Sequence, residues 1–122
     1  MLQEMNRVRV AHGVPALQND THLQRAATSH SREMLESNTF SHGAFGSRML
    51  QFDVSFNTAG ENLAWGTGSL GRAHAIVAAW LASPEHRANL LRPSFRRVGI
   101  GEVAGTFQGH GGAHVVTADF AG

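Results

Sequence analysis

The chain has 122 residues, 42% of them hydrophobic and 16% charged, which suits one folded domain with its own core and excludes a disordered chain. The formal net charge is +1, so nothing global points to nucleic acid, and the lack of cysteine excludes disulfides, a cysteine zinc site and a thiol nucleophile. No apolar run approaches a membrane span, and Met1-Leu2-Gln3-Glu4 does not read as a signal peptide. Leu2, Met5, Val8 and Ala11 predict a first helix, stopped by Gly13 and Pro15. Asp20 can cap a second helix in which Leu23, Ala26, Ala27, His30 and Met34 share a face, fraying near Ser37-Asn38. His30 on that apolar stripe reads as a core histidine rather than a ligand.

From Thr39 to Gly68 periodicity is lost, and Phe40, Phe45, Phe52 and Phe56 suggest an irregular stretch packed onto the body. Ser47 to Leu50 suits one helical turn. Ser69 is expected to cap a helix running to Trp80, with Ala73, Ile76, Val77, Trp80 and Leu81 on its buried face. A short helix restarts at Ser83, a good N-cap, followed by Pro84 at the first helical position, where a missing N–H costs nothing. The period then changes to two. Val98 and Ile100, with Val103 at the margin, predict one strand. Val116, Ala118 and Phe120 lie on one face of another, with Val115, Thr117 and Asp119 on the other. Gly109 to Gly112 is the expected hairpin connection. Helices first and strands last make an α+β pattern with an antiparallel sheet.

Three stretches could carry chemistry. His86 falls one turn after Ser83 on the same side of the short helix, where the plain alternative is a capping contact with Ser83. Phe40-Ser41-His42 and Gly60-Glu61-Asn62-Leu63 both fall in the irregular region, where side chains can be aimed at a cleft. Two histidines and a glutamate could converge either as metal ligands or as an acid/base set.

Taken in order, several groups of residues resemble the CAP superfamily of cysteine-rich secretory, antigen 5 and pathogenesis-related class 1 proteins. They are Asn6-Arg7-Val8-Arg9, Phe40-Ser41-His42, Gly60-Glu61-Asn62, Trp80-x-x-Ser83-Pro84-x-His86-Arg87-x-Asn89-Leu90-Leu91, Val98-Gly99-Ile100-Gly101 and Asp119-Phe120. The bacterial SCP-like extracellular branch is most similar. The resemblance covers nearly the whole chain and implies a single domain over residues 1–122. It implies a three-layer α-β-α sandwich with a central antiparallel sheet. It also implies a secreted or cell-envelope location and a cleft that in some members binds zinc or another divalent ion. Carried over, the metal-binding histidines are His42 and His86, the glutamate is Glu61, and Asn62 and Ser83 support the cleft. Ser83 stands where the fuller family pattern has a second glutamate, which weakens both the metal site and a two-carboxylate mechanism.

Two other motifs compete. Gly66-Thr67-Gly68-Ser69-Leu70-Gly71 matches a dinucleotide fingerprint, but Ser83-Pro84 starts a helix where the second strand should be. Arg87, Arg92, Arg96 and Arg97 read as a solvated face rather than a phosphate site, and His110 and His114 as hairpin residues. The function expected is a non-enzymatic binding module for a lipid, a cell-envelope component or a protein, with no nucleic acid or dinucleotide partner. The alternative is a metal-dependent hydrolase with Glu61 as general base. There is no H-E-x-x-H and no G-x-S-x-G.

Overall fold

The computed structural model describes Met1–Gly122. In chain order the elements are α1 (Leu2–Ala11), β1 (Gln18–Asn19), α2 (Thr21–Ser37), α3 (Phe45–Gln51), β2 (Ala59–Thr67), α4 (Ala73–Ala82), α5 (Pro84–Leu90), β3 (Arg97–Phe107) and β4 (His110–Ala121). The sheet order is β1-β3-β4-β2. Its body, β3-β4-β2, is antiparallel; only the two-residue β1 runs parallel, beside β3. β4 is central and buried on both faces. Val116, Ala118 and Phe120 pack with Met5 and Val8 of α1, Ile76, Val77 and Trp80 of α4, and Leu90 of α5. Val115 packs with Met34 of α2, and Thr117 accepts a hydrogen bond from Ser31 of α2 at 2.8 Å. Helices therefore cover both faces, as the α-β-α expectation requires. Trp80 is buried, and its indole Nε1 donates to the Leu63 carbonyl at 3.0 Å, which satisfies the one polar group it brings inside.

Asp20 caps α2 by accepting from the Leu23 N–H at 3.0 Å, and Asn38 ends it in the left-handed conformation. α2 lies directly on β3. A Cβ at Gly99 would fall within the backbone of Leu23 and Gln24, and one at Gly101 within that of Ala27 and Thr28. Glycine at these two positions sets the spacing between layers.

Several elements differ from the sequence reading. Ser69 does not cap α4; Gly68–Gly71 form a 3-10 turn, and α4 begins at Ala73 after Arg72. The backbones of Gly66 and Gly71 approach too closely for a Cβ on either, which demands that tight turn. Gly60-Glu61-Asn62 is not irregular but part of a nine-residue strand. Its two glycines and two buried polar residues hide the period-two signal. α3 is a full seven-residue helix, not one turn. β4 begins at His110, so the hairpin turns at Gln108-Gly109 rather than across Gly109 to Gly112.

Arg9, on the inner side of α1, is fully buried. Its guanidinium donates to the carbonyls of Pro15 (2.8 Å), Leu90 (2.8 Å), Arg92 (3.2 Å) and Phe95 (2.9 Å). These contacts tie α1 to the end of α5 and the approach to β3.

Candidate functional site

β2 is the terminal strand of the sheet and pairs only with β4. In that register Glu61 is directly opposite Asp119, so two carboxyl side chains stand side by side on one face. Both are buried. α3 delivers a third buried group, Arg48. Its Nη1 lies 2.5 Å from Glu61 Oε2 and 3.3 Å from Asp119 Oδ2. One guanidinium neutralises one carboxylate, and a second charge in this space would be unpaired. Burial, with the adjacent Glu61 charge, pushes the Asp119 carboxyl up to about 10, so it holds its proton at neutral pH. Burial alone would also raise Glu61. Hydrogen bonds from Asp119 and Arg48, and the Arg48 charge, outweigh it and keep Glu61 below the ordinary value, hence ionised. Asp119 Oδ1 is the one buried side-chain polar atom without a partner.

The loop before α3 brings His42 to this cluster. Its Nδ1 lies 2.8 Å from Glu61 Oε1. The carboxylate can only accept, so Nδ1 donates, and Nε2 of the exposed ring is left as an acceptor. The loop is pinned at two carbonyls: Arg48 Nη2 donates to His42 O at 2.7 Å, and His30 Nε2 donates to Ser41 O at 2.7 Å. Burial, then the Arg48 charge, lowers His30, so it serves as a neutral donor. The expectation of a core histidine at His30 is met, and its contact positions the His42 loop.

Asn62, the next residue of β2, points to the opposite face. It donates to the His86 carbonyl at 2.9 Å, while Asn89 Nδ2 reaches Glu61 O at 3.2 Å and Asn62 Oδ1 at 3.1 Å. These bonds fasten α5 to β2. His86 Nδ1 lies 2.9 Å from Ser83 Oγ, so Ser83 engages the imidazole and does not cap a backbone N–H. The structure thus joins His42 directly to Glu61, and joins His86 to Asn62 through the main chain. The two imidazoles share no hydrogen-bonding partner.

The residues implicated in metal binding supply a limited donor set. No three His, Asp or Glu side chains are grouped as ligands. Glu61 is committed to Arg48 and His42. What remains is Nε2 of His42 and, in the tautomer whose Nδ1–H donates to Ser83 Oγ, Nε2 of His86. Two imidazole nitrogens are fewer than the three or four protein ligands of a catalytic or structural zinc site. Elsewhere His114 pairs with Glu102 at 2.9 Å, and the His110 ring packs on Trp65.

The sequence profile of the CAP family, the cysteine-rich secretory protein family, matches residues 2–120. The chain belongs to the CAP family. It is 37% identical over 103 residues to the uncharacterized protein YkwD of Bacillus subtilis (strain 168), covering 80% of this chain and 39% of that protein. An extracellular protein containing a SCP domain from Bacillus anthracis is similar in structure, with a TM-score of 0.82, 31% identity, and coverage of 99% of this chain and 39% of that one. An outer surface protein from Borrelia burgdorferi gives a TM-score of 0.79 at 25% identity, covering 99% of this chain and 90% of that one. The chain therefore spans well under half of YkwD and of the B. anthracis protein. In this CAP domain Arg48, the contact of His30 with the His42 loop and the protonated state of Asp119 were not visible in the sequence. The signal for Asp119 was a carboxylate on an otherwise buried strand face; its meaning depends on the register with Glu61, which periodicity does not reveal.

Proposed function

We propose that this CAP domain is an extracellular or cell-envelope binding module whose ligand meets the open Nε2 of His42. The observation that carries the reading is the bond from His42 Nδ1 to Glu61, a carboxylate itself paired with buried Arg48 and set directly beside Asp119. A buried three-group support for one exposed imidazole is costly to build and contributes nothing to the core that apolar residues would not. The ligand is a lipid, a cell-envelope component or a protein. A divalent ion such as zinc would be held by Nε2 of His42 and of His86, completed by water or by the ligand itself. Bound there, the ion would supply Lewis acidity to an oxygen of that ligand. Glu61 orients His42 and is a poor general base, because its oxygens accept from Arg48 and His42 and its acidity is raised. That argues against the hydrolase alternative.

Calorimetric titration with zinc chloride tests the reading. One weak site is expected, lost in His42→Ala and in His86→Ala and kept in His110→Ala and His114→Ala. Affinity should fall on acidification, because imidazole must be neutral to coordinate. Chelator should leave unfolding unchanged. Zinc carried by the hairpin histidines, or affinity indifferent to pH, would remove the metal from the account.

A further inference from the structure

We propose that the outward face of α2 is a second binding site, independent of His42, that takes a polyol phosphate chain. Thr21, Arg25, Thr28 and Arg32 recur at helical spacing opposite the buried side of α2 formed by Leu23, Ala27 and Met34. With Ser29 and Phe52 they line a groove of about 580 Å³ that contains no carboxylate. The ion-paired arginines of the molecule are Arg7, Arg48 and Arg97, and Arg9 is enclosed by carbonyls. Arg25 and Arg32 have neither kind of partner, and Glu36, one turn beyond Arg32, does not pair with it. Two unpaired guanidiniums in one acid-free groove favour an anion, and the arginine fork suits phosphate.

The spacing suits two phosphates of one chain rather than a single phosphate. Seven residues separate the arginines, which is two helical turns or about 10.5 Å along the axis. The hydroxyls of Thr28 and Ser29 lie between them. The order cation, hydroxyl, cation complements a chain in which hydroxylated spacers alternate with phosphates. Phe52 forms an apolar wall against the carbon face of a spacer, held to α2 by His22 Nδ1 donating to its carbonyl at 3.0 Å.

The test is an amide NMR titration of the full chain with a short glycerol phosphate oligomer. Inorganic phosphate, glycerol and an oligothymidylate with the same number of phosphates serve as comparisons. Shifts are expected to map to residues 21–32 and Phe52, with the oligomer bound more tightly than the oligothymidylate and glycerol not bound. Arg25→Gln and Arg32→Gln should each weaken the oligomer about five- to tenfold, as loss of a charge-assisted contact does. Both arginines are exposed, so the thermal midpoint should hold. Thr28→Val should weaken the oligomer and leave inorganic phosphate unchanged. Shifts mapping elsewhere, affinity indifferent to both arginine variants, or oligothymidylate binding as tightly as the oligomer would each overturn the proposal.

Discussion

Two arginines are buried in this small domain, and their surroundings differ in kind. Arg9, at the corner of α1 and α5, is held by four main-chain carbonyls and no carboxylate. Arg48, under the terminal strand β2, is held by two carboxyl groups that share one proton, and it also binds the carbonyl of the exposed His42. Carbonyls do not titrate, and nothing in the Arg9 cage reaches an exposed reactive group. The Arg48 cluster is titratable throughout and ends at an open imidazole nitrogen. The first arrangement closes a seam of the fold. The second sets the protonation and aim of a surface residue, which is why we place function there.

The largest effect should come from Arg9→Met. It strands the buried carbonyls of Leu90 and Phe95 and unties the part-exposed ones of Pro15 and Arg92, and at about 1–3 kcal/mol for each buried group left unsatisfied it should cost about 3–5 kcal/mol. The loss should be the same at pH 5 and pH 8, measured by denaturant unfolding. Arg48→Met should cost about 3 kcal/mol at pH 8, because Glu61 is then an unpaired buried charge beside Asp119. Here the cost should shrink at pH 5. Without Arg48, burial raises Glu61, which can then take a proton in the folded state. Equal pH dependence in the two variants would erase the distinction between the arginines.

Asp119→Asn sharpens it further. The folded protein holds the Asp119 proton that the unfolded chain releases above about 3.9. Wild-type stability therefore carries a term that falls as pH rises, by at most about 1.4 kcal/mol per pH unit. Asparagine removes that term, so the variant should gain on the wild type between pH 5 and pH 9. Parallel stability curves would show that Asp119 is ionised. The smallest effect is expected from His30→Gln, about 1 kcal/mol for the lost bond to Ser41. His30 is lowered in the fold, so the unfolded state binds its proton first. Its contribution to stability is present above about 6.5 and is lost as pH falls below that value. The variant should lose that acid-sensitive step.

How far these features can be read in the chain depends on whether they are local. Helical stripes such as Leu23, Ala26, Ala27 and Met34 carry their meaning within a few turns, and the strand alternation at Val116, Ala118 and Phe120 does the same. His42, Glu61 and His86 were legible through their family motifs. Arg48 was not, because a short helix in an aromatic-rich loop has too few residues to show which side is buried. Asp119 was visible as a residue but not as an acid holding its proton, since that follows from pairing β4 with β2. The same pairing turns Gly60-Glu61-Asn62 from an apparent loop into a strand. The contact between Ser83 and the ring of His86, one turn apart, was legible from helical spacing as the plain alternative for that histidine, and it is formed.

The most direct measurement is the tautomer of His42, read from long-range proton–nitrogen-15 correlations of the imidazole at pH 8. The account predicts a proton on Nδ1 and a bare Nε2 in the wild type, with the Nδ1 preference lost in Glu61→Gln. A wild-type ring protonated on Nε2 would contradict it, because the buried cluster would then not be directing the one nitrogen that the proposed site presents.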